Sequence, residues 1–166
     1  MKSPHRLSKP HANYKIMKTL DVTKEQRSNL AKLALHLRKQ KPSEKFSMWW
    51  YASKKSGGRA SPYAVQKHPC GTVCCAAGTG PKIGIKAKRG EDWDDYTDRV
   101  FIDPGINGYI KWSFMFGSGY EDIPYLAAKR IAWLLCDKDV DGEFDMPLGF
   151  KKWRPNWKKL EGMVNA

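Results

Sequence analysis

Between Pro69 and Pro81 no side chain is larger than valine, within the stretch 68–81 that reads HPCGTVCCAAGTGP. A run of such small residues constrains a fold more than any apolar stripe, because it lets a second element approach to backbone distance. Cysteine and alanine are also among the most buried residue types. The stretch therefore predicts a tight, buried elbow. "TVCCAA" followed by Gly78 predicts a short helix, capped by Thr72 and stopped by the glycine, before the chain turns at Pro81.

Large residues must fill the space around such an elbow. The chain has 166 residues, 41% of them hydrophobic and 12% aromatic, enough for one domain with a real core. Thr23-Lys-Glu-Gln26 has the form of a capping box. Leu30, Leu33, Ala34 and Leu37 follow at helical spacing and predict a helix to about Lys41, ending before Pro42. "FSMWWYA" (46–52) reads as a buried strand or short helix, and "KIGIKAKRG" (82–90) as a strand with a basic outer face. In "EDWDDYTDRVF" one helical stripe carries Trp93, Tyr96, Val100 and Phe101, with acids in the first turns where the helix dipole favours them. "GYIKWSFMFGSGY" (108–120) reads as strand-like or irregular. Asp122 is expected to cap a buried helix with Pro124 in its first turn and Leu126, Ala127, Ile131, Leu134 and Leu135 inside. The expectation is an α+β fold: mainly short α-helices around a compact aromatic-rich core, with a few short strands. Residues 1–20 read as a basic arm and 21–166 as a single globular domain.

Residues 68–81 also hold three of the four cysteines and one of the four histidines. His68, Cys70 and Cys75 are candidate zinc ligands with Cys136 as a distant fourth, but their spacing is not that of two C-x2-C pairs. Cys70 or Cys74 is a candidate nucleophile with His68 as base. No triad is legible, so no catalytic residue and no cofactor are expected. "DKDVDGEFD" (137–145) places Asp137, Asp139 and Asp141 at calcium-loop positions 1, 3 and 5, yet position 12 is Leu148 rather than glutamate. The bland reading is an acidic turn that ends the helix.

Charge carries the functional signal. Thirty Lys and Arg face seventeen Asp and Glu, for a net charge of +13. No acid precedes Asp21, and ten of the seventeen acids sit in 91–98 and 137–145, so the remaining surface is more basic than the mean. Such a surface attracts phosphate polyanions. The candidate contacts are Lys54, Lys55, Arg59, Lys86, Lys88, Arg89, Lys151, Lys152, Arg154, Lys158 and Lys159. In "KKWRPNWKK" the interleaved Trp153 and Trp157 are either base-stacking faces or the core side of a last helix. No run of about 18 apolar residues exists, so no membrane span is expected. The N-terminus lacks the apolar centre of a secretory signal, and the crowded cysteines fit a reducing compartment.

The order "CGTVCCAAGTGP", "EDWDDYTDRVF", "YEDIPYLAAKRIAWLL" resembles a group of small bacteriophage-encoded proteins. In that group a C-G-T-x-x-C-A-x-G-H-x-P segment precedes a W-x-x-Y helix and an A-A-x-R-I helix. The likeness runs from about Leu30 to Leu135. Thr79 stands where the group has histidine, which counts against a metal or catalytic role for that position. The resemblance implies a phage accessory protein working in the cytoplasm of the infected bacterium, and it implies no reaction. The expected function is non-enzymatic binding of nucleic acid, or of a host or defence nucleoprotein complex, through the basic surface. The alternative is a structural, virion-associated protein lying on packaged genome or an acidic capsid surface.

Overall fold

Thr23 caps the first helix as the sequence predicts. The computed structural model describes residues 20–43, 45–48, 51–54, 58–68, 72–103, 105–117, 121–138, 140 and 146–164. In α1 (Lys24–Leu37) the Thr23 hydroxyl accepts the Gln26 N–H at 3.1 Å, and the Gln26 side chain accepts the Thr23 N–H at 2.9 Å. These two bonds satisfy two of the orphan donors at the helix start. Leu30, Ala31, Leu33, Ala34 and Leu37 are buried. The helix stops short of Lys41, because its last turn tightens into three-residue bonds from Lys39 to His36 and from Gln40 to Leu37.

A short strand follows, β1 (Ala52–Lys54), then α2 (Pro62–Lys67) with Ser61 as its cap. "TVCCAA" is not a helix. Thr72–Cys74 is a strand, β2, antiparallel to β1 with Ala52 opposite Cys74 and Lys54 opposite Thr72. The β-branched Thr72 and Val73 favour this pleated pairing over a helical start. Helical structure begins later, as a 3-10 helix over Ala77–Ile83. The predicted elbow is there nonetheless: Cys74 through Pro81 are all buried. Residues 82–90 form no strand. Ile85 and Ala87 are buried while Lys86 and Lys88 are exposed, so the alternation was legible. The backbone instead bonds from Ile85 N–H to the Gly80 carbonyl and from Ala87 N–H to the Gln66 side chain.

α3 (Trp93–Val100) starts at Asp92, whose carboxylate accepts the Asp95 N–H at 2.8 Å, and it buries Tyr96 and Val100 with Phe101 just beyond. α4 (Gly105–Phe116) corrects the strand-like reading of 108–120. Its aromatics meet at helical spacing, with the Trp112 and Phe116 rings 5.8 Å apart. An apolar run this dense hides its period, since both faces read alike. α5 (Pro124–Leu135) is the buried helix expected, covered from Ala127 to Leu135, including Lys129 and Arg130. Pro124 opens it, but Ile123 holds the cap position, and Asp122 instead accepts the Met48 N–H. α6 (Trp157–Val164) is the last element.

α5 lies against α1, α4 and α6, and α1 also touches α3, α6 and the 3-10 helix. One apolar cluster runs through these contacts from Leu20 to Leu160. The architecture is α+β and mostly helical, with a single two-stranded sheet among the described residues. The predicted arm lies outside the described residues except for Leu20, which is buried and accepts a bond from Arg27. No helix among the described residues is long and apolar enough to cross a membrane.

Candidate nucleic-acid interface

The two described cysteines of the elbow are covered. Cys75 is buried, and its Sγ accepts the Gly78 N–H at 3.3 Å. Burial pushes its thiol up to about 12, so it stays protonated and poorly nucleophilic at neutral pH. Cys74 is buried as well, and its thiol donates to Thr72 at 3.7 Å. His68 is exposed at the end of α2 and makes no side-chain hydrogen bond among the described residues. Cys70 lies outside those residues. Thr79, in the position where the phage group has histidine, is buried and donates to the Cys75 carbonyl at 2.9 Å. Among the described residues no three His, Cys, Asp or Glu side chains come together as metal ligands. Asp139 and Asp141 of the calcium reading lie outside the described residues. Asp137 is exposed and pairs with Lys159 at 3.8 Å.

Eight of the eleven basic candidates fall into two segments. Lys86, Lys88 and Arg89 are exposed on the stretch that enters α3. This stretch is braced from beneath. Arg99 on α3 pairs with Glu91 at 2.6 Å and also donates to the Lys86 carbonyl at 3.0 Å. The second Glu91 oxygen accepts the Lys88 N–H at 2.8 Å. The guanidinium beside Glu91 holds its carboxyl below the usual range, so the brace is charged at neutral pH. Arg59 is exposed on a neighbouring stretch. That stretch is tied in by the Trp93 indole N–H, which donates to the Ala60 carbonyl at 2.8 Å. Lys54 ends β1 but its side chain, like all of Lys55, lies outside the described residues.

The second segment runs from Lys151 to Lys159. Lys151, Lys152, Arg154, Lys158 and Lys159 are all exposed, the last two on α6. Its brace is Lys129 of α5, only 4% exposed, which donates to the Lys151 carbonyl at 3.1 Å and sits 4.7 Å over the Phe150 ring. Burial lowers the Lys129 pKa, with the Arg154 charge adding to the effect. Trp153 is anchored edge-on to Trp133 at 5.1 Å. The tryptophans thus serve packing first: both Trp153 and Trp157 are half-buried against the core. Sequence reasoning missed both braces. A lysine inside the apolar pattern "LAAKRIAWLL" was the available signal for Lys129.

Among the described residues, few acids meet these cations. The ion pairs among the described residues are Arg38–Glu161 at 2.8 Å, Arg99–Glu91 and Lys159–Asp137. Lys86, Lys88, Arg89, Lys151, Lys152, Arg154 and Lys158 make none among those residues. The acids of α3 crowd one another instead. Asp98 is held above the usual carboxylate range by burial, then by Asp103, Asp94, Asp95 and Asp92. No family model, curated protein or solved structure matches the chain.

Proposed function

We propose that this protein binds nucleic acid without catalysis, as a phage accessory protein in the cytoplasm of the infected bacterium. The observation that carries the reading is the pair of braced basic segments. Seven exposed cations there have no ion-pair partner among the described residues, while the backbone beneath them is fixed. A cation on a fixed backbone loses less freedom when it meets a phosphate, so more of the Coulomb attraction appears as affinity. Lysine and arginine along such segments neutralise phosphates and release condensed counterions. The resemblance of "CGTVCCAAGTGP" and the segments after it to phage proteins supports the cellular setting. The absence of a membrane-length apolar helix among the described residues is compatible with it.

The test is binding of labelled DNA and RNA oligonucleotides by fluorescence anisotropy across a salt series. If about six phosphates are engaged, the slope of log affinity on log salt should be about −4 for single strands and about −5 for duplex. Reversing Lys151, Lys152, Arg154 and Lys158 to glutamate together should weaken binding roughly tenfold or more at a fixed low salt. Absence of binding to either nucleic acid at low salt would overturn the reading. The virion-associated alternative then gains weight if the protein is recovered in purified particles at fixed stoichiometry.

A further inference from the structure

Tyr125 stands out among the aromatic side chains near the second basic segment. It occupies the first turn of α5 and is 39% exposed, whereas Trp153 and Trp157 of that segment are half-buried. Its ring meets that of Trp157 at 6.2 Å and an interplanar angle of 60°. Trp157 is fixed on its own account. The Arg38 guanidinium lies 5.2 Å over its ring and is itself held by Glu161 at 2.8 Å. The exposed tyrosine therefore rests against an indole that is itself held in place. Lys158 follows Trp157 directly, and Arg154 precedes it by three residues; both are exposed.

From this arrangement we infer that Tyr125, propped by Trp157, is a base-stacking platform, and that the ligand is single-stranded nucleic acid. The inference rests on the reading of the basic segments as a nucleic-acid interface and narrows it. A flat ring has nothing to stack on in a duplex, whose bases face one another. An unpaired base has a free π-face, and its phosphates can meet the cations of the segment that carries Trp157. Stacking of this kind is tolerant of sequence, because every base has such a face. Trp153 does not share the role, since its ring is half-buried against the core and packed on Trp133.

The experiment compares three probes of equal length by anisotropy: a single-stranded oligothymidylate, the matching duplex, and a single strand whose sites are abasic. Wild-type protein should prefer the intact single strand over both. Tyr125→Ala should lose about 5- to 150-fold in affinity for the intact strand. It should keep the salt slope and the affinity for the abasic strand, whereas Tyr125→Phe should bind like wild type. Because the abasic strand keeps the phosphates and lacks only the bases, it reports stacking even where a variant folds poorly. Equal binding of intact and abasic strands by wild-type protein would overturn the platform while leaving the basic-surface reading standing. A duplex preferred over the single strand would do the same. Failure to bind any of the three at low salt would overturn both.

Discussion

Lys129 keeps its ammonium against the Lys151 carbonyl, and Arg99 keeps its guanidinium against Glu91 and the Lys86 carbonyl. Each is a cation that serves inside the fold so that others can face outward. Glu91 is the side chain on which one brace turns. Its folded carboxyl lies below the ordinary range because Arg99 donates to it, so the bond stabilises the fold above the usual glutamate pKa of about 4.3. That contribution is lost as pH falls through the lower, folded value. Glu91→Gln should cost about 1–3 kcal/mol at pH 7, the loss of a charge-assisted hydrogen bond in a largely covered setting. Thermal melting should show a lower midpoint than wild type at pH 7 and a gap that closes in strongly acidic buffer. The same variant should bind oligonucleotides more weakly, since the Lys86 to Gly90 stretch loses its anchor. None of this is legible in "EDWDDYTDRVF" alone, where Glu91 and Arg99 look like two of many surface charges. Their pairing depends on the turn that brings residue 91 back over α3.

At the scale of elements, the small-residue elbow organises its neighbours. The Tyr51 carbonyl accepts the Cys75 N–H at 3.3 Å and sits where a side chain on Gly78 would have to go. Gly80 is confined too, though by side chains, with a methyl there falling 2.5 Å from the Tyr96 hydroxyl and 2.9 Å from the Phe101 ring. Gly78→Ala should therefore destabilise the fold by about 3 kcal/mol through overpacking against backbone that cannot yield. In a chain of this length that is a drop of roughly 6–12 °C in Tm, measurable by calorimetry. Sequence reading found this elbow, α1 with its cap, α3 and α5, because in each a strong local signal agrees with the tertiary environment. It misplaced the helix in "TVCCAA", since β pairing with a segment twenty residues earlier is a non-local event. It misread α4 because a run of Tyr, Ile, Trp, Phe and Met is apolar all round. The cations it named are legible because charge alone reveals them, whereas Tyr125 is not, since its exposure depends on how α6 packs on α5.

At the scale of the molecule, positive charge outweighs negative. The net charge is +13, and Asp98 of α3 is held above its ordinary value by burial and then by the neighbouring acids. Seven exposed cations on the two braced segments find no ion pair among the described residues. In a dilute buffer these charges push against one another across a surface that the braces prevent from spreading. Dissolved salt screens that push within a Debye length, about 30 Å at 0.01 M and about 8 Å at 0.15 M. The ligand-free protein should therefore melt at a higher temperature as sodium chloride rises over that range. Its affinity for an oligonucleotide should fall over the same range, because the salt competes for the same phosphates and lysines. Folding and binding would thus respond to one added ion in opposite directions. Such a surface draws its counter-ions from solution, and a polyphosphate chain would bring its own already strung together.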